Sequence, residues 1–317
     1  TGDPRERVEL TSPVAIYKNL IISGHLTSDG EPKGPSGDIR AFDVRTGKQI
    51  WRFHVIPRPG EFGHDTWEGD SWKDRAAANA WSVLSVDVVR GIVFLPLTSA
   101  ATDFWGGDRK GDNLFSDSLV ALKAETGERL WHFQTIHHDL WDWDLPSQPM
   151  LIEVDRDGRP VPAVAQITKT GLIYTFNRVT GKPLFPIEER PVPKSEVPGE
   201  WTAATQPFPL KPAPLTRHTM TAEDLQDLSP ETRKYCEEVL KDAVYAKQLY
   251  TPFGFKPTVM FPSTNGGANW GGGAYDPETR TLYGNTMEIG MVMKMVTRPA
   301  GSAIPYRTQG ARTPNSR

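Results

Sequence analysis

The sequence predicts an all-β protein, a β-propeller assembled from repeated four-stranded blades. Two segments share one pattern, AFDVRTGKQIWRF at residues 41–53 and ALKAETGERLWHF at residues 121–133. In each, alternating apolar residues lead into a Thr-Gly turn and a second strand that carries Trp, which is typical of a β-hairpin with Gly at a positive φ. A weaker copy at residues 174–185, YTFNRVTGKPLF, keeps the Thr-Gly turn but lacks the Trp. Such repetition indicates a repeat architecture.

A second type of hairpin alternates with the first. The segments VLSVDVVRGIVFLP (83–96) and GGAYDPETRTLYGN (272–285) each predict a strand, an Asp-led turn and another strand, and residues 14–24 and 164–177 predict further hairpins. Two hairpins per unit give a four-stranded blade, and the chain holds about four blades. We therefore expect residues 1–317 to form one partial propeller domain, a fragment of a longer propeller.

Two stretches break the β pattern. Residues 186–214 are rich in Pro, and a helix is expected at about residues 221–250. The helix has capping-box-like starts in TAED and SPET, with Pro230 at a first helical position. We interpret residues 186–250 as a Pro-rich loop plus helix inserted on one face of the propeller, where they either cover a site or pack on the surface.

Composition excludes several classes of function. The net charge of −3 argues against nucleic acid as a partner. No apolar run approaches the roughly 20 residues of a transmembrane helix. The single cysteine, Cys236, allows no internal disulfide and no CxxCH haem attachment site.

The segment HFQTIHHDLWDWDLPSQP, residues 132–149, is the densest group of chemically active side chains. Its His and Asp residues cannot mostly lie in a blade core, since charged groups are rarely buried without partners. The adjacent His137 and His138 would point to opposite faces of a strand, which disfavours a shared zinc ion. The other interpretation is a corner in which His and Asp side chains hold the loop by hydrogen bonds.

These residues give the chain a specific resemblance. The stretch from TDFWGGDRKGDN to HHDLWDWDLPSQP (102–149), together with residues 59–72 and 249–277, resembles the pyrroloquinoline quinone (PQQ)-dependent quinoprotein dehydrogenases. The similarity is strongest to the membrane-bound glucose dehydrogenase branch and covers essentially the whole chain. It implies an eight-bladed propeller with PQQ and a divalent cation, Ca²⁺ or Mg²⁺, at its axis, of which this chain is about the middle half.

The resemblance implies two cofactor contacts. Trp131 matches the Trp on which the PQQ ring stacks, a contact that offset stacking and apolar burial would favour. The alternative is that Trp131 only joins two blades, as expected for Trp51. Lys256, in TPFGFKPT, matches a Lys proposed to contact PQQ, where a cation would stabilise negative charge on the quinone. The alternative for Lys256 is a solvated loop residue.

The catalytic base and the metal ligands follow from the same resemblance. The base is an Asp that removes the proton of the substrate hydroxyl; Asp224 is the best match and Asp227 the competitor, although Asp224 also suits a helix cap. Asn79, in AANAW, matches a position proposed for the cation and the cofactor. Ser147 takes the place where related alcohol dehydrogenases have an Asn ligand. Oxygen ligands of this kind suit Ca²⁺.

The function implied is oxidation of a sugar or alcohol hydroxyl by hydride transfer to PQQ, with electrons passed to ubiquinone or a cytochrome c. The implied location is the periplasm, with a tether to the inner membrane supplied by a segment outside this chain. The cofactor site draws on all the blades, so we expect the fragment alone to be inactive. The competing hypothesis is a non-catalytic propeller scaffold that binds proteins.

Overall fold

The computed structural model describes residues 8–225 and 228–310, which form many short strands and one α-helix. The strands, in chain order, are β1 (Val8–Glu9), β2 (Ala15–Tyr17), β3 (Leu20–Ser23), β4 (Leu26–Thr27), β5 (Ile39–Asp43), β6 (Gln49–Phe53), β7 (Ser85–Asp87), β8 (Ile92–Pro96), β9 (Ser118–Lys123), β10 (Arg129–Gln134), β11 (Met150–Arg156), β12 (Arg159–Ile167), β13 (Ile173–Asn177), β14 (Ile187–Pro191), β15 (Thr205–Pro209), β16 (Val244–Tyr245), β17 (Thr258–Met260), β18 (Gly273–Asp276), β19 (Thr281–Gly284), β20 (Met291–Thr297) and β21 (Tyr306–Gly310). The helix, α1, is Pro230–Leu240.

Antiparallel blades organise most of these strands. One four-stranded sheet has the order β2-β3-β5-β6 and the next has the order β7-β8-β9-β10. A third has the order β11-β12-β13, extended by a bridge between Phe176 and Pro183, and β18-β19 opens a fourth. The first strands of successive blades, β2, β7, β11 and β18, contact one another in that order. This arrangement of inner strands around an axis confirms the propeller prediction.

The Thr-Gly repeat has the same register in both strong copies. Trp51 lies opposite Ala41, and Trp131 lies opposite Ala121. The Trp51 indole N–H donates to Ala124 O at 3.0 Å, so the ring of one blade rests on the Thr-Gly turn of the next. Each repeat Trp therefore joins two blades.

The core lies between the blades and follows the two-residue period of the strands. All five residues of β8 are buried. Val93 and Leu95 pack with the β2-β3-β5-β6 sheet, whereas Ile92 and Phe94 pack with the β11-β12-β13 sheet. A strand buried on both faces explains why this segment is almost continuously apolar.

The segment between the third and fourth blades differs from the prediction in detail. Part of the Pro-rich stretch forms the hairpin β14-β15. The helix is shorter than predicted, because a 3-10 turn at Ala222–Asp224 precedes it and the helix proper begins after the N-cap Ser229. Strands β16, β17, β20 and β21 form a further sheet, with β16 and β17 parallel. Within the described residues, no helix is both long and apolar enough to cross a bilayer.

The blades present two faces. We call one the turn face; it carries the Thr-Gly turns at residues 46–47, 126–127 and 180–181. We call the other the loop face; it carries the connections at residues 28–38, 54–84, 97–117, 135–149 and 168–172. Because antiparallel strands reverse at every connection, these two sets of segments lie at opposite ends of the blades.

Candidate active site

The HHDLWDWD segment forms a hydrogen-bonded corner on the loop face. The carboxylate of Asp139 accepts the backbone N–H of Trp141 at 3.0 Å and of Trp143 at 2.9 Å. His138 donates from Nδ1 to Gly111 O at 2.9 Å, and burial lowers the pKa of His138 well below its ordinary value, so the ring is neutral. Within the described residues, no group of three or more His, Cys, Asp and Glu side chains is arranged to hold a metal ion. The hydrogen bonds made by Asp139 and His138 support the corner interpretation.

Lys169 brings two carboxylates of this segment together. Its ammonium lies 3.0 Å from Asp142 Oδ1 and 2.6 Å from Asp144 Oδ1. It also donates to Asp142 O at 2.7 Å. The other oxygen of Asp144 accepts the indole N–H of Trp81 at 2.8 Å. Residues from three separate loop-face connections thus form one cluster, which we call the Lys169 cluster: Trp81, Asp142, Asp144 and Lys169.

The members of the cluster differ in exposure. The side chains of Lys169 and Asp144 are each 6% exposed, whereas that of Asp142 is 30% exposed. Burial lowers the pKa of Lys169, but the carboxylates of Asp144 and Asp142 more than offset it, so the net pKa is raised and the ammonium stays charged. Burial raises the pKa of Asp142 well above its ordinary value, with Lys169 opposing and Asp144 adding to the shift. Asp142 is therefore an accessible carboxylate with a strengthened affinity for a proton.

Asp103 is a further carboxyl group close to Asp142. Burial raises the pKa of Asp103 well above its ordinary value, and repulsion from Asp142 and Asp29 raises it further. Lys169 opposes that shift. The loop face therefore gathers several carboxyl groups around one buried ammonium, and an added cation would favour their ionised forms.

Known proteins resemble this chain over nearly its whole length. A family model described as "PQQ: Glucose/ethanol/alcohol dehydrogenase, beta-propeller domain" matches residues 2–317. The chain belongs to this family. The quinate/shikimate dehydrogenase (quinone) of Acinetobacter baylyi is 36% identical over 293 residues, covering 92% of this chain and 36% of that protein. The quinoprotein glucose dehydrogenase of Gluconobacter oxydans is 36% identical over 306 residues, covering 93% of this chain and 36% of that protein.

Solved quinoprotein structures share the fold. A quinohemoprotein alcohol dehydrogenase from Pseudomonas putida matches with a TM-score of 0.67 at 21% identity, covering 98% of this chain and 42% of that chain. A europium-containing methanol dehydrogenase matches with a TM-score of 0.68 at 19% identity, covering 96% of this chain and 49% of that chain. The resemblance to the PQQ family and the propeller fold are confirmed, and this chain spans well under half the length of the curated relatives it matches.

Trp131, the expected floor of the PQQ site, lies in β10 at the outer edge of its blade. Its indole N–H donates to Arg178 O at 3.2 Å, and its ring lies over Gly181 and near Phe94 and Phe176. This is the environment of Trp51 one blade further along. The blade-joint role is visible, and the cofactor role of Trp131 stays a prediction.

The other expected cofactor and metal residues are dispersed. Lys256 is exposed in the loop before β17. Asn79 is buried, and its side-chain N–H donates to Thr27 Oγ1 at 3.3 Å. Its Oδ1 is buried without a hydrogen-bond partner among the described residues. The Ser147 hydroxyl donates to Asn269 O at 2.8 Å. Asn79 and Ser147 lie on the loop face, and their ligand roles stay predictions.

Asp224 occupies the capping position that the sequence offered as the alternative to catalysis. One oxygen accepts the Thr221 N–H at 2.7 Å and the other accepts from Arg217 at 2.7 Å. The Thr221 N–H, followed by Arg217, lowers the pKa of Asp224. A carboxylate with both oxygens engaged and a lowered pKa is a weak proton acceptor. Asp227 lies outside the described residues.

Sequence reasoning did not single out the Lys169 cluster. Asp142 and Asp144 stood within a motif that was recognised as unusual, but their individual roles were not assigned. Lys169 stood in a segment interpreted only as a hairpin, VAQITKTGLIYTFN. Its signal was a Lys in a turn whose neighbours Thr168 and Thr170 are buried. A charged residue there needs an opposite charge, and Asp142 and Asp144 supply it from another connection of the loop face.

Proposed function

We propose that this chain contributes the Lys169 cluster to the active site of a PQQ-dependent dehydrogenase that oxidises a sugar or alcohol hydroxyl. The observation that carries the proposal is the accessible carboxylate of Asp142 held against a buried ammonium on the loop face. The named relatives are dehydrogenases of quinate or shikimate, glycerol and glucose, which favours an enzyme over a protein-binding scaffold.

The residues present fit an anionic, planar quinone. Trp81 offers a partly buried indole beside the cluster, and stacking on an indole suits a conjugated ring. Lys169 supplies a permanent positive charge, and a cation fixed in advance favours a group that becomes more negative on reduction. When bound, PQQ would accept the hydride equivalent from the substrate carbon. This assignment gives Lys169 the role expected for Lys256, and Trp81 the role expected for Trp131.

Asp142 is the proposed general base. Its carboxylate is reachable from solvent, and its raised pKa makes it a stronger proton acceptor than an ordinary Asp. It would remove the proton of the substrate hydroxyl while Lys169 stabilises the ionised carboxylate in the resting state. The engaged, low-pKa carboxylate of Asp224 is less suited to this step.

The proposed site also includes a divalent cation. The repulsion that Asp142 and Asp29 exert on Asp103 supports a cation on the loop face, and an all-oxygen donor set suits Ca²⁺. The unpaired Oδ1 of Asn79 is a further oxygen on this face. We propose Ca²⁺, with Mg²⁺ as the alternative, bound together with the cofactor.

Ubiquinone or a cytochrome c is the proposed acceptor. The term "(quinone)" in the name of the Acinetobacter relative supports the former. The proposed location is the periplasm, on the strength of the resemblance to membrane-bound glucose dehydrogenases.

The substitution Asp142→Asn in the full-length protein tests the proposal. With PQQ and Ca²⁺ supplied, we expect kcat for dye reduction with glucose, glycerol or quinate to fall about 10²–10⁴-fold, the usual contribution of a general base. Asp157→Asn is the matched control, because Asp157 also has a left-handed backbone (φ 54° against 57°) but lies on the turn face. Equal activity in both variants would contradict the role of Asp142 and return the base to Asp224 or Asp227.

A further inference from the structure

Asp139 makes a set of contacts centred on Asp142, although it does not touch Asp142 itself. The Asp139 side chain is buried, with 1% of the residue exposed. Its two oxygens accept the backbone N–H groups of Trp141 and Trp143, which immediately precede and follow Asp142. The hydroxyl of Ser99 donates a third hydrogen bond to the same carboxylate. One buried group therefore fixes the backbone on both sides of Asp142.

The backbone that Asp139 fixes needs external support. Asp142 has φ 57° and His138 has φ 50°, both in the left-handed region that L-residues rarely adopt. Such conformations cost of order 1 kcal/mol each and persist only where surrounding contacts determine them. The hydrogen bonds to Trp141 and Trp143 span the Asp142 position, so they stabilise the conformation that directs its carboxylate to Lys169.

A second contact fixes the corner from outside. The guanidinium of Arg109 is fully buried and donates to Asp139 O at 2.6 Å and to Thr102 O at 3.0 Å. It also donates to Asn113 Oδ1 at 2.9 Å. The backbone of Asp139 is thereby tied to the loop that contains Asp103. These bonds connect the corner to that loop directly.

We propose that Asp139 is a positioning residue for the oxidation: its ionised carboxylate holds the Asp142 loop so that Asp142 is presented to substrate beside Lys169. The inference rests on the proposed function of Asp142. Asp139 itself contacts neither substrate nor cofactor in this assignment. It acts only through the backbone of residues 141–143.

The neighbouring Asp117 gives the proposal a built-in control. Ser99 Oγ lies 3.1 Å from Asp117 Oδ1 and also bonds to Asp139, but one hydroxyl carries one proton. Because Asp139 accepts backbone N–H groups, it is the ionised partner that takes the Ser99 proton. Asp117 is then the neutral acid, which donates to Ser99, and its second oxygen has no hydrogen-bond partner among the described residues. An unpaired oxygen is far less costly on a neutral acid than on a carboxylate.

The same substitution at the two positions should therefore have opposite results. Asp117→Asn replaces a neutral acid by a neutral amide whose N–H₂ can still donate to Ser99. Asp139→Asn turns an N–H₂ group towards a backbone N–H of the corner, which leaves two donors facing each other. Both variants keep the size of the side chain, so any difference reports the charge and acceptor pattern of Asp139.

The experiment compares both variants with wild type in the PQQ- and Ca²⁺-loaded, full-length protein. Hydrogen exchange measured by mass spectrometry on peptides covering residues 138–145 should accelerate in Asp139→Asn and match wild type in Asp117→Asn. In Asp139→Asn we expect kcat to fall about 10- to 100-fold with KM changed little, since a small displacement of a catalytic group costs about that much. Equal exchange in the two variants would overturn the proposal, as would a loss confined to KM.

Failure of the proposed function is separable from failure of this inference. If Asp139→Asn accelerates exchange in residues 138–145 but Asp142→Asn retains full turnover, Asp139 holds the loop and Asp142 is not the base. That result would overturn the catalytic part of the proposal. If Asp142→Asn is inactive and Asp139→Asn exchanges and turns over as wild type, the base assignment stands and the positioning role is wrong.

Discussion

The turn face and the loop face use the same backbone conformation in different ways. At the three Thr-Gly turns the left-handed positions are occupied by glycine, Gly47, Gly127 and Gly181, where it costs little. At the corner on the loop face, His138 and Asp142 take that conformation. Hydrogen bonds from buried side chains hold the backbone of the corner. The Thr-Gly turns on the turn face need no such bonds, because glycine adopts the left-handed conformation easily. The Thr-Gly turns avoid strain by using glycine, whereas the corner accepts strain in order to place chemically active side chains.

Two lysine ion pairs, one on each face, differ in exposure. On the turn face, Lys18 and Glu125 pair at 3.2 Å with side chains 60% and 68% exposed. On the loop face, Lys169 pairs with Asp142 and Asp144 while only 6% exposed. Exposed pairs contribute little to stability, whereas breaking a buried pair leaves a charge without a partner. The difference can be measured by removing one Lys from each face.

Lys169→Met should have the largest effect of the substitutions that compare the faces. It leaves the carboxylates of Asp142 and Asp144 without their cation, and we expect the free energy of unfolding at pH 8 to fall by about 3 kcal/mol. The loss should be smaller at pH 5. Without Lys169 the pKa of Asp142 in the folded state rises further above its value in the unfolded state. The loss of unfolding free energy therefore grows as pH rises from the unfolded-state pKa to the folded-state pKa. Urea unfolding at the two pH values measures it.

Lys18→Met is the control for that experiment. Because Lys18 and Glu125 are solvated, this variant should unfold as wild type does at both pH values. A Lys169→Met protein with unchanged stability at pH 8 would show that the buried ion pairs of Lys169 do not stabilise the folded state. The contrast between the faces would then rest on backbone conformation alone.

Gly127→Ala should have the next largest effect, and it tests the turn face. A Cβ at Gly127 would lie 2.7 Å from the ring of Trp51, and φ is +73°. We expect a loss of about 3 kcal/mol, from the left-handed conformation together with overpacking against the indole. Gly158→Ala is the matched control, since φ is +75° with nothing within 4 Å, and should lose about 1 kcal/mol. Equal losses in thermal unfolding would mean that Trp51 does not press on this turn.

The turn face could be predicted from the sequence because its determinants are local. A Thr-Gly turn, the alternation on either side of it and a Trp at a fixed offset are all contained in residues 41–53 or 121–133. Their pairing follows from hairpin geometry, and the register found, with Trp51 opposite Ala41 and Trp131 opposite Ala121, repeats between the blades. The helix was predicted too long because the break after Asp224 depends on a 3-10 turn rather than on the capping signals alone.

The site could not be predicted to the same degree, because its determinants are non-local. The motif containing Asp142 and Asp144 was recognisable, but their partner Lys169 comes from the β12-β13 connection and Trp81 from the segment before β7. Only the packing of successive blades brings these segments together. Asp224 was chosen because it best matched the catalytic Asp of the resembling family, although its spacing from Thr221 also suited a cap, and its capping bonds lie within three residues of it. Matching by resemblance thus selected a capping carboxylate over one defined by tertiary contacts.

Glu200→Gln should have the smallest effect, and it tests how the β14-β15 hairpin meets the loop face. Glu200 accepts the Gly106 N–H at 2.8 Å, and burial raises its pKa to about 7. The folded state therefore binds this proton more tightly than the unfolded state, so stability falls as pH rises from about 4.5 to about 7. Glutamine keeps the acceptor oxygen without the charge. Between pH 5 and pH 8 the variant should lose about 1 kcal/mol less than wild type, the linkage value reduced for partial exposure.

Glu188→Gln is the control on the same hairpin, where the carboxylate is exposed beside Arg190. It should follow wild type across the pH range in denaturant titrations. If Glu200→Gln and Glu188→Gln behave alike, Glu200 is solvated and the hairpin tip does not seal against the loop that contains Asp103. If only Glu200→Gln flattens the pH dependence, the Glu200 carboxyl group is buried against Gly106 and the hairpin is packed on the loop face.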